Sequence, residues 1–128
     1  MGIARFEDIE AWKASRNLSQ AFDRAVADTR AFNNRRLLNQ MEDCADSAMA
    51  NIVEGFDSRA DPEFLRFLKI AYRSVTEFQS HLYTALDKRQ IDKAAFTELY
   101  ALAMKAKALI GGFMRYLKSC IRQTKRKK

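Results

Sequence analysis

Apolar residues recur along this chain at alternating steps of three and four, the period of a helix buried on one side. Four stretches carry it. The first runs from about Asp8 to Asp28, with Trp12, Ser15, Leu18, Phe22, Ala25 and Val26 on one side. The second, about Asn34 to Phe56, has the stripe Leu37, Leu38, Met41, Cys44, Ala45, Ala48, Met49, Ile52 and Phe56. The third begins at Asp61-Pro62-Glu63, read as an N-cap, a first-turn proline and an acid at the positive end of the helix dipole. Its stripe is Phe64, Phe67, Leu68, Ala71, Val75, Phe78, Leu82, Ala85 and Leu86. The fourth starts from an Asp92 N-cap and lines its inner face with Phe96, Leu99, Ala103, Ala106, Ile110, Phe113, Leu117 and Ile121.

The gaps between them, Thr29–Asn33, Asp57–Ala60 and Lys88–Ile91, are short. Short connections between long amphipathic helices force sequential neighbours to run in opposite directions. The expected fold is therefore all-α, an antiparallel up-down-up-down four-helix bundle spanning residues 1–122, followed by a basic C-terminal tail at 123–128. Only four glycines and one proline occur in 128 residues, too few for the turns of an all-β chain. No apolar run approaches the ~18 residues of a membrane span. The opening MGIARFEDIE lacks the basic-then-apolar layout of a signal peptide, which points to a cytoplasmic protein without a membrane role.

The residues that carry chemistry are scarce. Cys44 and Cys120 each fall on an apolar stripe, and no CxxC or second histidine accompanies His81, so no metal ligand set is expected. Di-iron bundles need Glu-x-x-His on two helices. Here Glu77 and His81 are four apart and the motif fails. No nucleophile elbow or phosphate loop occurs either. No catalytic residue, cofactor or enzymatic activity is expected. On the second helix Arg36, Gln40, Asp43, Ser47 and Glu54, with Asn51 at the edge, form a polar stripe suited to solvent or to a network between helices or subunits.

One face breaks the usual rule that outward positions are charged. Ala101, Met104, Ala108, Gly111 and Gly112 lie opposite the core stripe of the fourth helix, and Leu65, Tyr72 and Tyr83 lie off the core of the third. Two glycines inside a helix cost roughly 1 kcal/mol each against alanine. Homo-oligomerisation through these eight residues is the expected compensation.

Charge changes the picture again. The net charge is +7, and nine of the 23 basic residues fall between Lys105 and Lys128, a stretch without a single acid. The rest of the chain sets 14 basic residues against all 16 acidic ones. A concentration of cations suits phosphate backbones, which it binds through counterion release. Lys105, Arg115, Lys118, Arg122, Lys125, Arg126, Lys127 and Lys128 are the expected nucleic-acid contacts, without base reading, since no recognition module is present.

Several motifs also match a known family. Phe6-Glu7-Asp8 with Trp12, then Gln40, then Asn51-Ile52-Val53-Glu54-Gly55 closing the second helix, resemble the four-helix proteins encoded by intervening sequences of bacterial 23S rRNA genes. The pattern continues in Glu63-Phe64, Phe67-Leu68, Ile70-Ala71, Ser74, Glu77 and Leu82, although Arg73 stands where the family commonly has glycine. The resemblance implies a homo-oligomer, a pentamer, with an RNA-linked accessory role. It marks Asn51, Glu54 and Gly55 as structural, Gly55 as a helix-ending residue. The accessory variability proteins of diversity-generating retroelements are similar in architecture and partner a reverse transcriptase. Three functions follow as expectations: an RNA-binding oligomer, a scaffold for a nucleic-acid-handling protein, or a structural oligomer without ligand.

Overall fold

The computed structural model describes residues 2–127. Four α-helices make up nearly all of it: α1 (Glu10–Asp28), α2 (Arg35–Asp57), α3 (Asp61–Asp87) and α4 (Lys93–Arg126). A short 3₁₀ turn, Phe6–Asp8, precedes α1, and no strand occurs among the described residues. Each helix packs on its neighbours in sequence, and α1 also packs on α4, so the four close into a square with α1–α3 and α2–α4 as diagonals.

Contacting partners run in opposite order along adjacent helices. Cys44 meets Glu77, Ser47 meets Ser74 and Phe56 meets Phe64 across α2 and α3. Phe64 meets Phe113, Tyr72 meets Lys107 and Tyr83 meets Phe96 across α3 and α4. The core is the four predicted stripes turned inward, with Leu18, Phe22, Met41, Ile52, Phe64, Leu68, Phe78, Leu82, Leu99, Ile110 and Leu117 essentially inaccessible to water. Several predicted positions sit at its margin instead. Trp12, Leu38, Met49, Phe67, Leu86, Phe96, Phe113 and Ile121 are half-buried, while Ala11, Ala14 and Ala21 of α1 are buried.

Helix ends depart from expectation in two places. Asp61 is the first helical residue of α3 rather than its cap; Ala60 takes the extended cap conformation and offers no side-chain oxygen. Gly55 does not end α2, which continues to Asp57. Instead Gly55 lets two helices approach: a Cβ there would lie 2.6 Å from Phe64 Cδ1 and 3.0 Å from Phe67 Cβ. The helix reaches its turn through Arg59, at a φ of 60°. Helix α4 runs to Arg126, so Lys125 and Arg126, within the segment expected as a basic tail, are helical. The Asp92 cap is present as expected, its side chain accepting from the Ala95 amide at 2.8 Å.

The loops at one end are tied by a residue with no predicted role. Gln90 is buried, and its Oε1 accepts from the backbone amides of Asn33 and Asn34 at 2.8 and 2.7 Å. Its Nε2 donates to the Lys88 carbonyl at 3.1 Å. One side chain thus joins the α1–α2 and α3–α4 connections. Asn34 in turn caps α2, its side chain accepting from the Leu37 amide at 3.0 Å.

Candidate nucleic-acid interface

At about 1.5 Å per residue, the 34 residues of α4 make it the longest helix. Its partners fix where it becomes free. Ile121, Thr124 and Lys125 share a shallow cleft with Arg59, Ala60, Asp61 and Pro62 at the start of α3. Leu117 is the last fully buried residue of the helix, and from Arg122 onward every described residue is exposed.

One face of α4 reads Ala101, Met104, Ala108, Gly111, Arg115, Lys118, Arg122 and Lys125, at unbroken steps of three and four. These residues form a single outward stripe with two halves, the upper small and apolar, the lower cationic. Arg115, Lys118, Arg122, Lys125, Arg126 and Lys127 are all exposed, and none takes part in an ion pair among the described residues. Lys128 lies outside the described residues. Lys105 is exposed but sits beside Met104, almost three turns above Arg115, so it stands apart from the terminal cluster. Lys107, not among the expected contacts, is held within the chain. Its Nζ donates to Gln79 Oε1 at 3.0 Å and lies 5.0 Å from the centre of the Tyr72 ring.

The expected self-association residues are also located. Met104 and Tyr83 are about half exposed, at 51% and 52%, Tyr72 is exposed at 36%, and Ala101 and Ala108 are exposed. Leu65, Gly111 and Gly112 are half-buried. Space over the two glycines is occupied by the Arg115 guanidinium and, at Gly111, by the Tyr72 ring, all at ordinary contact distances of 3.6 to 3.7 Å from a would-be Cβ. An alanine fits at both positions, so packing inside the protomer does not require glycine there. Tyr116, exposed at 51%, escaped the sequence pattern because it lies off the apolar stripe.

The polar residues of α2 divide. Asn51 is half-buried and its Nδ2 donates to the Ser47 carbonyl at 2.8 Å and to Ser47 Oγ at 3.1 Å. Ser47 Oγ shares a 2.8 Å hydrogen bond with Ser74 Oγ, which makes Asn51 part of a bridge from α2 to α3. Arg36, Gln40, Asp43 and Glu54 are exposed. Nearby, burial and the Glu77 carboxylate push the Cys44 thiol up to about 11, a protonated and unreactive state. No group of acids, cysteines and histidine is arranged to hold a metal among the described residues, and no helix is long and apolar enough to cross a membrane.

A family model described as the 23S rRNA-intervening sequence protein matches residues 7–112. That span covers η1 (Phe6–Asp8) from its second residue through the upper part of α4, and it ends just before the cationic half of the stripe. No curated protein matches the chain.

Proposed function

Because the chain belongs to the 23S rRNA-intervening sequence protein family, we propose that it is a non-enzymatic cytoplasmic accessory protein that binds RNA. In this reading it is an antiparallel up-down-up-down bundle that assembles into a homo-oligomer, a pentamer by family resemblance. The reversed order of contacts across α2–α3 and α3–α4 supports the topology. The observation that carries the RNA reading is the lower half of the α4 stripe: Arg115, Lys118, Arg122 and Lys125, joined by Arg126 and Lys127, exposed and unpaired on one helix end.

Such a surface attracts phosphate without reading bases. Lys and Arg on a helix meet the backbone as point charges or forks, and binding is driven by the counterions released. The helix is 34 residues long and ends in Lys125 and Arg126, so part of that charge also complements the negative end of its own dipole. The dipole needs only one or two cations within the last turn, however, and the stripe extends three turns back to Arg115. The assembly contacts are expected on the upper half, at Ala101, Met104, Ala108, Gly111 and Gly112 with Leu65, Tyr72 and Tyr83. Asn51 and Gly55 hold α2 to α3 and serve the fold; Glu54, exposed, is free for contacts outside it.

The test compares RNA binding by the full chain with that of a chain ending after Ser119, across a salt titration, with light scattering on both samples. With about five phosphate contacts, log K against log salt is expected to fall with a slope near −3.5 on single strands and −4.5 on duplex. Truncation removes most of that slope and leaves the assembly unchanged. Absence of binding even at about 50 mM salt overturns the reading and leaves a protein scaffold or a ligand-free oligomer.

A further inference from the structure

The positive charge of the chain is not confined to the end of α4. Arg30, Arg35 and Arg36 lie on the α1–α2 connection and the first turn of α2, and Lys88, Arg89 and Lys93 on the α3–α4 connection and the start of α4. Residues 28–36 and 87–93 set these six bases against three acids, Asp28, Asp87 and Asp92. Asp92 is engaged as the cap of α4. All six bases are exposed, and none has an ion-pair partner among the described residues. Because Gln90 bonds the amides of Asn33 and Asn34, the two connections form one fixed surface. It lies at the opposite end of the bundle from Arg122, about 44 Å away along α4.

These cations do not stabilise the helices that carry them. Arg35 and Arg36 occupy the first turn of α2 and Lys93 that of α4, the positive ends of the helix dipoles, and neither first turn holds an acid. At the far end of α4 the dipole accounts for part of the basic cluster; here it opposes one. Arg89 is a second departure, an arginine at a φ of 57° where glycine is unstrained. It lines a cleft of about 660 Å³ between α1 and the start of α4, as does Arg24. Ala25, Leu86, Ile91 and Ala95 give this cleft an apolar part, and Asp28 and Glu98 supply acceptors. A phosphate group has no use for an apolar wall or a carboxylate. An unstacked base uses both, the wall against its ring face and the carboxylates for its N–H groups.

We infer that this end of the bundle is a second RNA contact. It takes a single-stranded segment, with one unstacked base in the cleft and the flanking phosphates on Lys88, Arg89, Lys93 and the arginines of the α1–α2 connection. The inference rests on the reading above for the class of its ligand but uses none of the same residues. Arginine suits the role because its planar fork meets phosphate oxygens in pairs. With a cationic cluster at each end, one protomer holds two RNA segments at once, or two parts of a strand long enough to run the length of the bundle. The two contacts differ in kind: the α4 end meets phosphate alone, and the loop end also admits a base.

The test uses the full-length chain with Arg122, Lys125, Arg126, Lys127 and Lys128 changed to glutamine, which removes most of the α4 cluster. The probe is a short single-stranded oligonucleotide containing 4-thiouridine, offered at about 50 mM salt. This protein is expected to keep a salt-sensitive affinity, and irradiation to attach the base within residues 24–31 or 86–98. Changing Arg30, Arg35, Arg36, Lys88, Arg89 and Lys93 to glutamine as well is expected to weaken the remaining binding by roughly tenfold or more. Circular dichroism reads whether that variant is folded, and the change at Arg30, Arg35 and Arg36 alone replaces it if it is not. Binding that the added substitutions leave unchanged, or attachment confined to α4 beyond Gly112, overturns the inference and leaves the α4 reading standing. A chain that loses all RNA binding with the α4 cluster does the same. A wild-type chain that binds no RNA overturns both.

Discussion

Gly55 lies half a turn from the end of α2, and a methyl there would sit 2.6 Å from the Phe64 ring and 3.0 Å from Phe67 Cβ. Phe67 Cβ is fixed by the α3 backbone and cannot swing aside, so the helices must separate. Gly55→Ala is expected to destabilise the fold by about 1–3 kcal/mol, read as a lower urea midpoint at unchanged m, although alanine is the better helix former. Cys44 is constrained by charge and burial rather than by space. Its thiol, raised from 9.0 to about 11 by burial and by the Glu77 carboxylate, stays protonated in the native state through the range in which an unfolded thiol ionises. The sign follows: the unfolded chain releases this proton more readily, so stability is full below about pH 9 and declines as pH rises through the interval to about 11. At pH 8 alkylation of native Cys44 should run roughly a hundredfold slower than in the denatured chain. Comparable rates would mean that the site is open.

At the scale of elements, the turns are the points of stored strain. The α3–α4 connection is a Schellman closure: the Gln90 amide bonds the Ala85 carbonyl at 2.8 Å and the Arg89 amide bonds the Leu86 carbonyl at 3.0 Å. Its left-handed position, normally glycine, is Arg89 at a φ of 57°. Arg89→Gly is expected to raise stability by about 0.5–1 kcal/mol, visible as a few degrees in the thermal midpoint. A lower midpoint would show that the arginine side chain makes an interaction worth more than the strain. Arg59 takes a similar conformation at 60°, but its guanidinium lies 5.6 Å from the centre of the Phe56 ring, so the same exchange there also removes a cation–π interaction. The helices themselves were legible from periodicity. Their ends were less so: Asp61 reads as a cap because aspartate before proline favours one, yet the chain begins the helix one residue earlier.

For the whole molecule, the decisive feature is that α4 outlasts its partners. A helix packed along its full length has one outward face; this one also has a free end on which nearly all sides meet water. Neutralising Arg122, Lys125, Arg126 and Lys127 to glutamine is expected to weaken RNA binding and to reduce the salt slope on single strands by about 0.7 for each phosphate left without a cation. Thermal unfolding should hardly move, because all four are exposed and unpaired. An unchanged slope would place the RNA elsewhere. The cationic cluster was legible as a run of residues, but its composition was not. Lys107 belongs to Gln79 and Tyr72, Lys105 stands almost three turns away, and which cations remain free depends on what α3 places beside them.

What the order of residues determined by itself is the set of four helices and the side each one buries, because a 3.6-residue period is a local property of the chain. It also determined the excess of positive charge after Glu98, which needs no folding to exist. Only the tertiary structure decided what each residue meets. It turned Gly55 from a stop signal into a contact point between helices and Gln90 from a loop residue into a tie between two connections. It also set Arg24 and Arg89 around one cleft at the end opposite Arg122 and Lys125. Those facts concern distances between residues far apart in the chain, and no local period encodes them.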